Sequence, residues 1–307
     1  MVHGDAAGVE PGQGLTRPDS RPNIVTLLTD FGTSDGYVAA MKGVILTINP
    51  TATIVDISHE IPPQDIHAGA FVLSQCHSAF PPGAVHVVVV DPGVGSDRRA
   101  VVVATPNAYF VAPDNGVLSE VVNPYLTVSS FPEPSEAPSP TRRLILPPLR
   151  VWVLDNPSFF LPRISNTFHG RDVFAPAAAR LAAGTPVETV GPAAGDLTVF
   201  QVPPPRHHQD GSITGTVVHI DRFGNLITNV METEIELPSS AVAVSIGGRT
   251  IHGVSQSYAE GGDLLALIGS SGRLEVAAKN GSAAGILGID RWSLVHIRAA
   301  LPAEANS

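Results

Sequence analysis

Two short apolar segments, each followed by an aspartate and a glycine-containing loop, constrain the fold of this chain more than any other feature. Residues 24–29 lead into Asp30, and residues 85–90 lead into Asp91. Short runs rich in β-branched residues and bounded by turn residues are typical of strands that are buried on both faces. Such strands occur in sheets that carry helices on both sides, so the sequence predicts an α/β domain.

The segments between these strands support this prediction. Residues 37–48 and 65–78 have the apolar spacing of helices, and residues 53–57 form a further apolar run between them. Repeated strand, loop and helix units of this length predict a mostly parallel sheet covered by helices. Ligands of such sheets bind beyond the carboxyl ends of the strands, which is where Asp30 and Asp91 stand.

The pattern changes in the last third of the chain. Short apolar runs separated by glycine-containing turns follow one another from residue 212 to residue 277, which predicts a small β-barrel or sandwich. The proline-rich residues 203–205 favour a stiff linker before it. The predicted organisation is a disordered tail (1–22), an N-terminal α/β domain (23–200), a linker (201–211), a C-terminal β-barrel domain (212–299) and a second tail (300–307). The proline-rich stretch 129–148 is predicted to be an extended surface loop.

Composition and charge narrow the class of protein. The net charge of −10 at pH 7 argues against a nucleic-acid partner, which would require a basic face, and favours small-molecule chemistry. No segment approaches the ~20 apolar residues that span a bilayer, and residues 1–22 lack the apolar core of a signal peptide. The single cysteine, Cys76, cannot form an intramolecular disulfide. These features predict a cytoplasmic protein without a membrane partner.

His169 is the most informative single residue for chemistry. An upstream turn from Asp91 to Arg99 offers it an acid and a guanidinium as partners. A carboxylate, an imidazole and a guanidinium could together hold a water molecule, accept its proton and stabilise negative charge. The alternative is that Asp91 caps a turn, Arg98 faces solvent and His169 is an ordinary, partly buried histidine. Spacing alone leaves both interpretations open.

Three further turns carry groups that could bind a ligand. Asp30 could accept hydrogen bonds from a ribose diol or could cap a turn. Residues 221–225 offer an acid, an aromatic face and an amide, which fit an ammonium group and a purine, or an ordinary hairpin turn. Residues 269–273 could bind a carboxylate or form a plain turn.

The sequence gives little support to phosphate or metal binding. The loop with Gly93 and Gly95 lacks both the Lys-Ser/Thr pair of a P-loop and the third glycine of a dinucleotide fingerprint. The chain has eleven histidines, but none has the spacing of a helical metal site. We therefore expect no metal ion and no cofactor.

Six segments resemble, in residues and in order, those of the S-adenosylmethionine (SAM) hydroxide adenosyltransferases, which are also called adenosine-forming SAM hydrolases and are related to fluorinases and chlorinases. The resemblance covers about residues 23 to 295. The segments are Leu28-Thr29-Asp30-Phe31-Gly32, Val90-Asp91-Pro92-Gly93-Val94-Gly95, Ala112-Pro113-Asp114-Asn115-Gly116, Thr167-Phe168-His169-Gly170-Arg171-Asp172-Val173-Phe174-Ala175-Pro176, Asp221-Arg222-Phe223-Gly224-Asn225 and Ser270-Ser271-Gly272-Arg273-Leu274.

The resemblance implies a reaction of SAM with water that gives adenosine and methionine. It also implies a homotrimer, whose active sites lie between the N-terminal domain of one subunit and the C-terminal domain of the next. Asp91, Arg98 and His169 would then handle the water, and Arg98 keeps the family's spacing from Asp91 where Arg99 does not. The implied substrate contacts are Asp30 for the ribose hydroxyls, Asp221 for the methionine ammonium, Phe223 and Asn225 for the adenine, and Ser270 for the methionine carboxylate.

Three alternatives to metal-free hydrolysis remain open. Halogenation would use a desolvated halide in place of water, but a charged His169 and Arg98 beside C5′ suit a held water better, and the halogenating relatives lack the segment around His169. Ser271 stands where those relatives have arginine, a difference that concerns the contact with the methionine carboxylate. A non-catalytic sensor of SAM or adenosine would need the substrate contacts and not the three water-handling residues. A metal-dependent hydrolase would lose its activity on chelation.

Overall fold

The structure, a computed structural model, describes residues 22–127, 131–133, 135–260 and 262–300. The two predicted tails lie almost wholly outside the described residues, as does part of the proline-rich stretch 129–148. Within the described ranges no helix combines the length and the apolar character needed to cross a membrane.

In the first half of the chain, strands and α-helices alternate up to residue 89, and strands predominate after it. Its elements are β1 (Ile24–Thr29), α1 (Tyr37–Ile48), β2 (Thr53–Ser58), α2 (Ile66–Cys76), β3 (Ala84–Val89), β4 (Ala100–Ala104), β5 (Ala108–Pro113), α3 (Ser119–Val122), β6 (Thr141–Leu144) and β7 (Arg150–Val153).

The second half begins with a helix and continues mainly as strands. Its elements are a π-helical turn (Gly170–Phe174) that runs into α4 (Ala175–Ala182), then β8 (Ala193–Ala194), β9 (Asp196–Val199), β10 (Arg206–His207), β11 (Ile213–Ile220), β12 (Leu226–Met231), β13 (Val242–Ile246), β14 (Arg249–His252), β15 (Leu264–Ile268), β16 (Arg273–Ala278), α5 (Ala283–Leu287) and β17 (Leu294–Ala299).

A seven-stranded sheet with the order β2-β1-β3-β5-β4-β7-β8 forms the first layer of structure. Strands β2, β1, β3 and β5 are parallel, and β4, β7 and β8 add to them in antiparallel fashion. Helices α1 and α4 contribute Met41, Ile45 and Leu181 to the core on this sheet, all fully buried. The predicted α/β domain is confirmed. Thr29 pairs with Val89, so Asp30 and Asp91 follow adjacent parallel strands at one edge of the sheet.

A second, antiparallel sheet carries the C-terminal strands in the order β14-β13-β17-β11-β12-β16-β15, with β10 paired to β11. It is curved into a nearly closed barrel around a core that includes Val217, Leu226, Val244, Leu274 and Val295. Alternation of buried and exposed side chains, as in β17, leaves one face of a strand for the core. The predicted C-terminal β-barrel is confirmed.

The chain forms two compact units, each of which has most of its residue contacts within itself. Neither unit is continuous in sequence. The first contains residues up to Asp65, Cys76–Val117 and Leu144–Leu197, and the second contains Ile66–Gln75, Leu118–Arg143 and the chain from Thr198. Most of α2 belongs to the second unit because Phe71 packs with Val218 and Ile227. The continuous limits 23–200, 201–211 and 212–299 stay a prediction from the sequence.

One local prediction is wrong. Residues 141–144 fall within the predicted extended loop 129–148 but form β6, which pairs with β9 in a separate two-stranded sheet. The four residues are mostly exposed and include two arginines, so they lack the apolar alternation by which a strand is recognised. Backbone pairing with a distant segment forms this strand.

Candidate active site

The structure brings Asp91, Arg98 and His169 into direct contact within the first unit. The Arg98 Nε donates to both carboxylate oxygens of Asp91 at 3.0 Å, and its Nη2 donates to Asp91 Oδ2 at 2.5 Å. The same Nη2 lies 2.7 Å from Nδ1 of His169. The side chains of Arg98 and Asp91 are only 10% and 4% exposed. The guanidinium therefore bridges the acid and the imidazole, as opposed to facing solvent.

A glycine in the loop after β3 permits this contact. Gly95 has a φ of +77°, and a Cβ at this position would lie 2.4 Å from the backbone oxygen of Asn166. Any side chain would therefore push the loop away from the segment that leads to His169. Within the loop, the Ser96 N–H and hydroxyl both donate to the Gly93 oxygen, at 3.0 and 2.6 Å, and shape the turn that returns Arg98 towards Asp91.

His169 immediately precedes the π-helical turn, and a buried carboxylate fixes that turn. Asp172 is fully buried and accepts hydrogen bonds from the Ser165 N–H at 2.8 Å and from Arg171 Nε at 2.6 Å. Burial raises the pKa of Asp172, but these two hydrogen bonds and the Arg171 charge outweigh it, so the pKa is lower than usual. Single π turns are frequent at functional sites. Sequence reasoning gave Asp172 no role, although a charge inside an apolar helical pattern was the available signal.

The contact with Arg98 sets the protonation of His169. Arginine has no acceptor, so Nδ1 of the imidazole must accept and Nε2 must carry the proton. Burial lowers the pKa of His169, and the charge of Arg98 lowers it further, while Asp91 and Asp172 act in the opposite direction; the net pKa is below 6.5. At neutral pH the imidazole is therefore neutral and presents an Nε2–H donor.

The neighbouring arginine has different partners. Arg99 Nε donates to Asp114 Oδ2 at 2.7 Å, and its Nη2 donates to Asp196 Oδ1 at 2.8 Å. The Asp114 side chain is completely buried. Arg99 therefore ties β4 to two other segments of the first unit, whereas Arg98 reaches Asp91 and His169.

Asp30 lies beside an aromatic group at the end of β1. Its Oδ2 accepts a hydrogen bond of 2.8 Å from the Gln64 N–H. The rings of Phe31, Tyr37 and Phe168 pack against one another with centroids 5.2 to 5.9 Å apart. Tyr37 is 49% exposed, so part of this aromatic surface is open to a ligand. Sequence reasoning did not group these rings, although two of them stand next to the predicted site residues Asp30 and His169.

In the second unit, the carboxylate of Asp221 organises its own hairpin turn. Oδ1 accepts from the N–H groups of Phe223 and Asn225, and Oδ2 accepts from the Asn225 side-chain amide, all at 2.9 Å. Gly224 has a φ of +81°, and a Cβ there would lie 2.0 Å from Ser282 Oγ. The turn interpretation of this segment therefore holds. It also presents Phe223 with 75% of its surface exposed, next to a buried Asn225.

A pocket of about 540 Å³ in the second unit is lined by Asp221, Ser270 and Ser271 together. The candidate contacts for an ammonium group and for a carboxylate thus face one space. The Ser271 Oγ is buried and has no hydrogen-bond partner among the described residues. Glu275 also lines the pocket and accepts a hydrogen bond of 3.2 Å from the hydroxyl of Tyr258.

Glu275 is a pocket residue that sequence reasoning missed. It is 6% exposed. Burial raises its pKa, the hydrogen bond from Tyr258 lowers it, and the charge of Asp221 raises it, with a net increase. A single acidic residue in an apolar strand gives no sequence signal of the pocket that it faces. For metal binding, no three His, Cys, Asp or Glu side chains cluster suitably in the part of the chain that the structure describes.

Comparisons with known proteins agree with one another. The sequence matches the family model for the SAM hydroxide adenosyltransferase N-terminal domain over residues 25–191 and the model for the C-terminal domain over residues 215–295. It is 37% identical to the (R)-S-adenosyl-L-methionine hydrolase of Salinispora arenicola, over 86% of this chain and 94% of that protein. It is 28% identical to a fluorinase of Nocardia brasiliensis, over 88% and 95% of the two chains.

A solved structure extends the agreement to the fold. An uncharacterized conserved protein from Thermotoga maritima superposes with a TM-score of 0.76 at 34% sequence identity. The match covers 89% of this chain and 99% of that one.

Proposed function

The chain belongs to the SAM hydroxide adenosyltransferase family, and we propose that it hydrolyses S-adenosyl-L-methionine to adenosine and L-methionine. The observation that carries this proposal is the continuous contact of Asp91, Arg98 and His169. A protein that only bound SAM would not need a bridged acid, guanidinium and imidazole. The hydrolases are also more similar to this chain than the fluorinases, with 37% against 28% identity in the two examples above.

Departure of the leaving group requires little assistance from the enzyme. C5′ of SAM carries a positively charged sulfur, which leaves as the neutral thioether of methionine with the electron pair of the broken bond. The difficulty is the nucleophile, because bulk water has a pKa of about 15.7 and hydroxide is scarce at neutral pH. The enzyme must hold a water in line with the C5′–sulfur bond and accept its proton as the new C–O bond forms.

The protonation states of the three residues indicate which of them accepts the proton and which of them donate hydrogen bonds. Arg98 has no acceptor, and Nδ1 of His169 already accepts from Arg98, so Asp91 is the member of the trio that can take the proton. Arg98 and the Nε2–H of His169 are donors, which hold the water oxygen and stabilise negative charge that develops on it. No step needs a metal ion or a cofactor.

The remaining residues supply contacts to the substrate in the same proposal. Asp30 binds the ribose hydroxyls, and Phe223 and Asn225 bind the adenine by stacking and hydrogen bonding. Asp221 binds the methionine ammonium through the oxygen that has one hydrogen bond, and Ser270 binds the carboxylate. We further propose a cytoplasmic homotrimer, in which the first unit of one protomer and the second unit of its neighbour form each site. The 75% exposure of Phe223 supports a role in binding another molecule or protomer.

The decisive experiment is to incubate the purified protein with SAM in oxygen-18 water, with a chelator and without halide, and to separate the products. We expect adenosine labelled at its 5′-oxygen and unlabelled methionine. Binding of SAM without any product would indicate a sensor, and activity that requires an added divalent ion would indicate a metal-dependent hydrolase. A 5′-halogenated product formed in preference to adenosine, once halide is added, would indicate a halogenase.

A mixing experiment tests the shared sites. Asp30→Ala and Asp221→Ala each remove a charged substrate contact from a different half of the proposed site. If sites form between protomers, mixing the two impaired variants under conditions of subunit exchange should raise the activity above that of either variant alone. No recovery after demonstrated exchange would place each site within one protomer.

A further inference from the structure

A buried hydrogen-bond network lies directly beneath Asp30. Thr29, the last residue of β1, is fully buried, and its Oγ1 lies 2.8 Å from Nδ1 of His59, which is 5% exposed. The same Oγ1 accepts a hydrogen bond of 3.2 Å from the Phe31 N–H. The imidazole is therefore linked to the residues on both sides of Asp30.

The loop that carries His59 also binds the Asp30 segment through its backbone. The Gly32 N–H donates to the His59 oxygen at 2.8 Å, and the Gln64 N–H donates to Asp30 Oδ2 at 2.8 Å. Gln64 adopts a φ of +65°, which is uncommon for a residue with a side chain. One end of the loop thus fixes the backbone after Asp30, and its other end orients the carboxylate.

An ion pair lies close to the other side of the imidazole. Nε2 of His59 lies 3.1 Å from Asp56 Oδ1 but makes no hydrogen bond with any described residue, and Lys42 Nζ donates to Asp56 Oδ2 at 2.6 Å. The side-chain hydrogen bond of the imidazole is therefore the one that joins its Nδ1 to the hydroxyl of Thr29. Thr29 has no exposed surface, so its hydroxyl cannot reach a substrate, and the network acts on the position of Asp30 instead.

We propose that His59 is a positioning residue for ribose recognition, which holds Asp30 through Thr29 and through its own loop in the orientation that accepts both ribose hydroxyls. The inference rests on the proposed function, since it assumes that Asp30 binds the ribose. A carboxylate binds a diol through two hydrogen bonds at once, so a small rotation of Asp30 loses one of them.

The test compares two ligands by calorimetry: adenosine, and 2′,3′-dideoxyadenosine, which lacks both hydroxyls. His59→Leu and Thr29→Val each break the link, and Thr29→Val keeps the shape of the buried side chain. Both variants should weaken adenosine binding by about tenfold, the effect of losing one hydrogen bond to a charged group, and leave dideoxyadenosine binding unchanged. His59→Asn places an amide near the position of Nδ1 and should restore much of the adenosine affinity. His252→Leu, at an exposed histidine, is the matched control.

Comparing the affinities for adenosine and dideoxyadenosine distinguishes a positioning role of His59 from a general loss of structure at the site. A merely structural role of His59 would weaken both ligands equally, and that result would overturn the inference. So would unchanged adenosine binding in both His59→Leu and Thr29→Val. In Asp30→Ala the Thr29→Val change should have no further effect on adenosine binding, and independent effects would also contradict the mechanism. Failure of the wild-type protein to bind adenosine would instead remove the proposed function.

Discussion

Arg98 donates a hydrogen bond of 2.7 Å to Nδ1 of His169, and this contact decides which form of the imidazole the protein uses. A protonated imidazole would have two N–H donors and could not accept from a guanidinium. The same guanidinium binds both oxygens of Asp91, so loss of Arg98 affects the acid and the imidazole together.

Arg98→Lys should lower turnover by about 10²-fold or more, because a lysine cannot bind a carboxylate through two nitrogens and an imidazole at the same time. SAM affinity should change little, since Arg98 acts on the water. Arg99→Lys is the matched control: it weakens the contact with the buried Asp114 and should lower the melting temperature while most of the turnover remains. Adenosine release and thermal unfolding measure both effects. Equal losses of turnover in the two variants would argue against a special role for Arg98.

The pKa of His169, measured by NMR titration, should lie below the ordinary 6.5 because burial and the Arg98 charge both disfavour the imidazolium. Since the neutral imidazole is the form that accepts from Arg98, turnover should fall as the pH drops through this lowered pKa and should be flat from there to pH 7. In Arg98→Met the pKa should rise, because the opposing charges of Asp91 and Asp172 remain. A wild-type pKa above 6.5 would contradict the hydrogen-bond assignment.

Gly95→Ala should destabilise the protein by more than about 1 kcal/mol and reduce turnover at the same time. The new Cβ combines an unfavourable φ of +77° with a distance of 2.4 Å to the Asn166 oxygen, so the loop must move away from the His169 segment. Gly36→Ala is the control, because that residue has a negative φ and open space around it. Urea unfolding and SAM hydrolysis are the measurements. A stable variant with normal turnover would show that the loop position is unimportant.

His86 should make the protein sensitive to acid. It is fully buried, and burial together with the nearby His77 lowers its pKa to about 4. The unfolded chain titrates near 6.5, so below that pH it binds the proton that the folded state excludes, and stability falls until the pH reaches about 4. The difference between the two pKa values corresponds to ~3 kcal/mol.

A double substitution tests this without leaving a buried polar group unpaired. Thr26 bonds to Nδ1 of His86 at 2.8 Å, so Thr26→Val with His86→Phe removes both partners. Unfolding free energies between pH 7 and pH 4 should fall by ~3 kcal/mol less in this variant than in the wild type. Parallel pH profiles would show that His86 is not the group responsible.

Phe223→Ala should leave the unfolding free energy within ~0.5 kcal/mol of the wild type, because three quarters of the side chain is exposed. If the ring stacks on adenine, adenosine binding should weaken by about tenfold, in line with the value of one base-stacking contact. Leu144→Ala, at a residue that is 65% exposed, provides a control for the loss of an exposed apolar side chain. Unchanged adenosine affinity would remove Phe223 from the proposed adenine contacts.

The amino-acid sequence was sufficient to predict the two classes of structure and the edge of the sheet at which the reactive residues lie. The continuous apolar run of β1 indicates a buried strand, and the apolar spacing of α1 indicates a helix with one buried face. Both patterns are local, so they can be recognised in the sequence. Because parallel strands end at one edge of a sheet, the sequence also predicts Asp30 and Asp91 at that edge. The resemblance of six short segments supplied the candidate residues at both turns of the second unit.

The contacts between side chains depend on how the chain folds in three dimensions. Arg98 and Arg99 are adjacent and chemically identical, yet one bridges Asp91 to His169 and the other binds Asp114, because neighbouring residues at a strand end point in different directions. For the same reason, the sequence around Glu275 did not show that its side chain lines a pocket. Periodicity records whether a side chain is buried, but its partner depends on which distant segments pair. These contacts join residues as far apart in the sequence as Arg98 and His169. The local sequence around each of the two residues does not indicate the other as its partner.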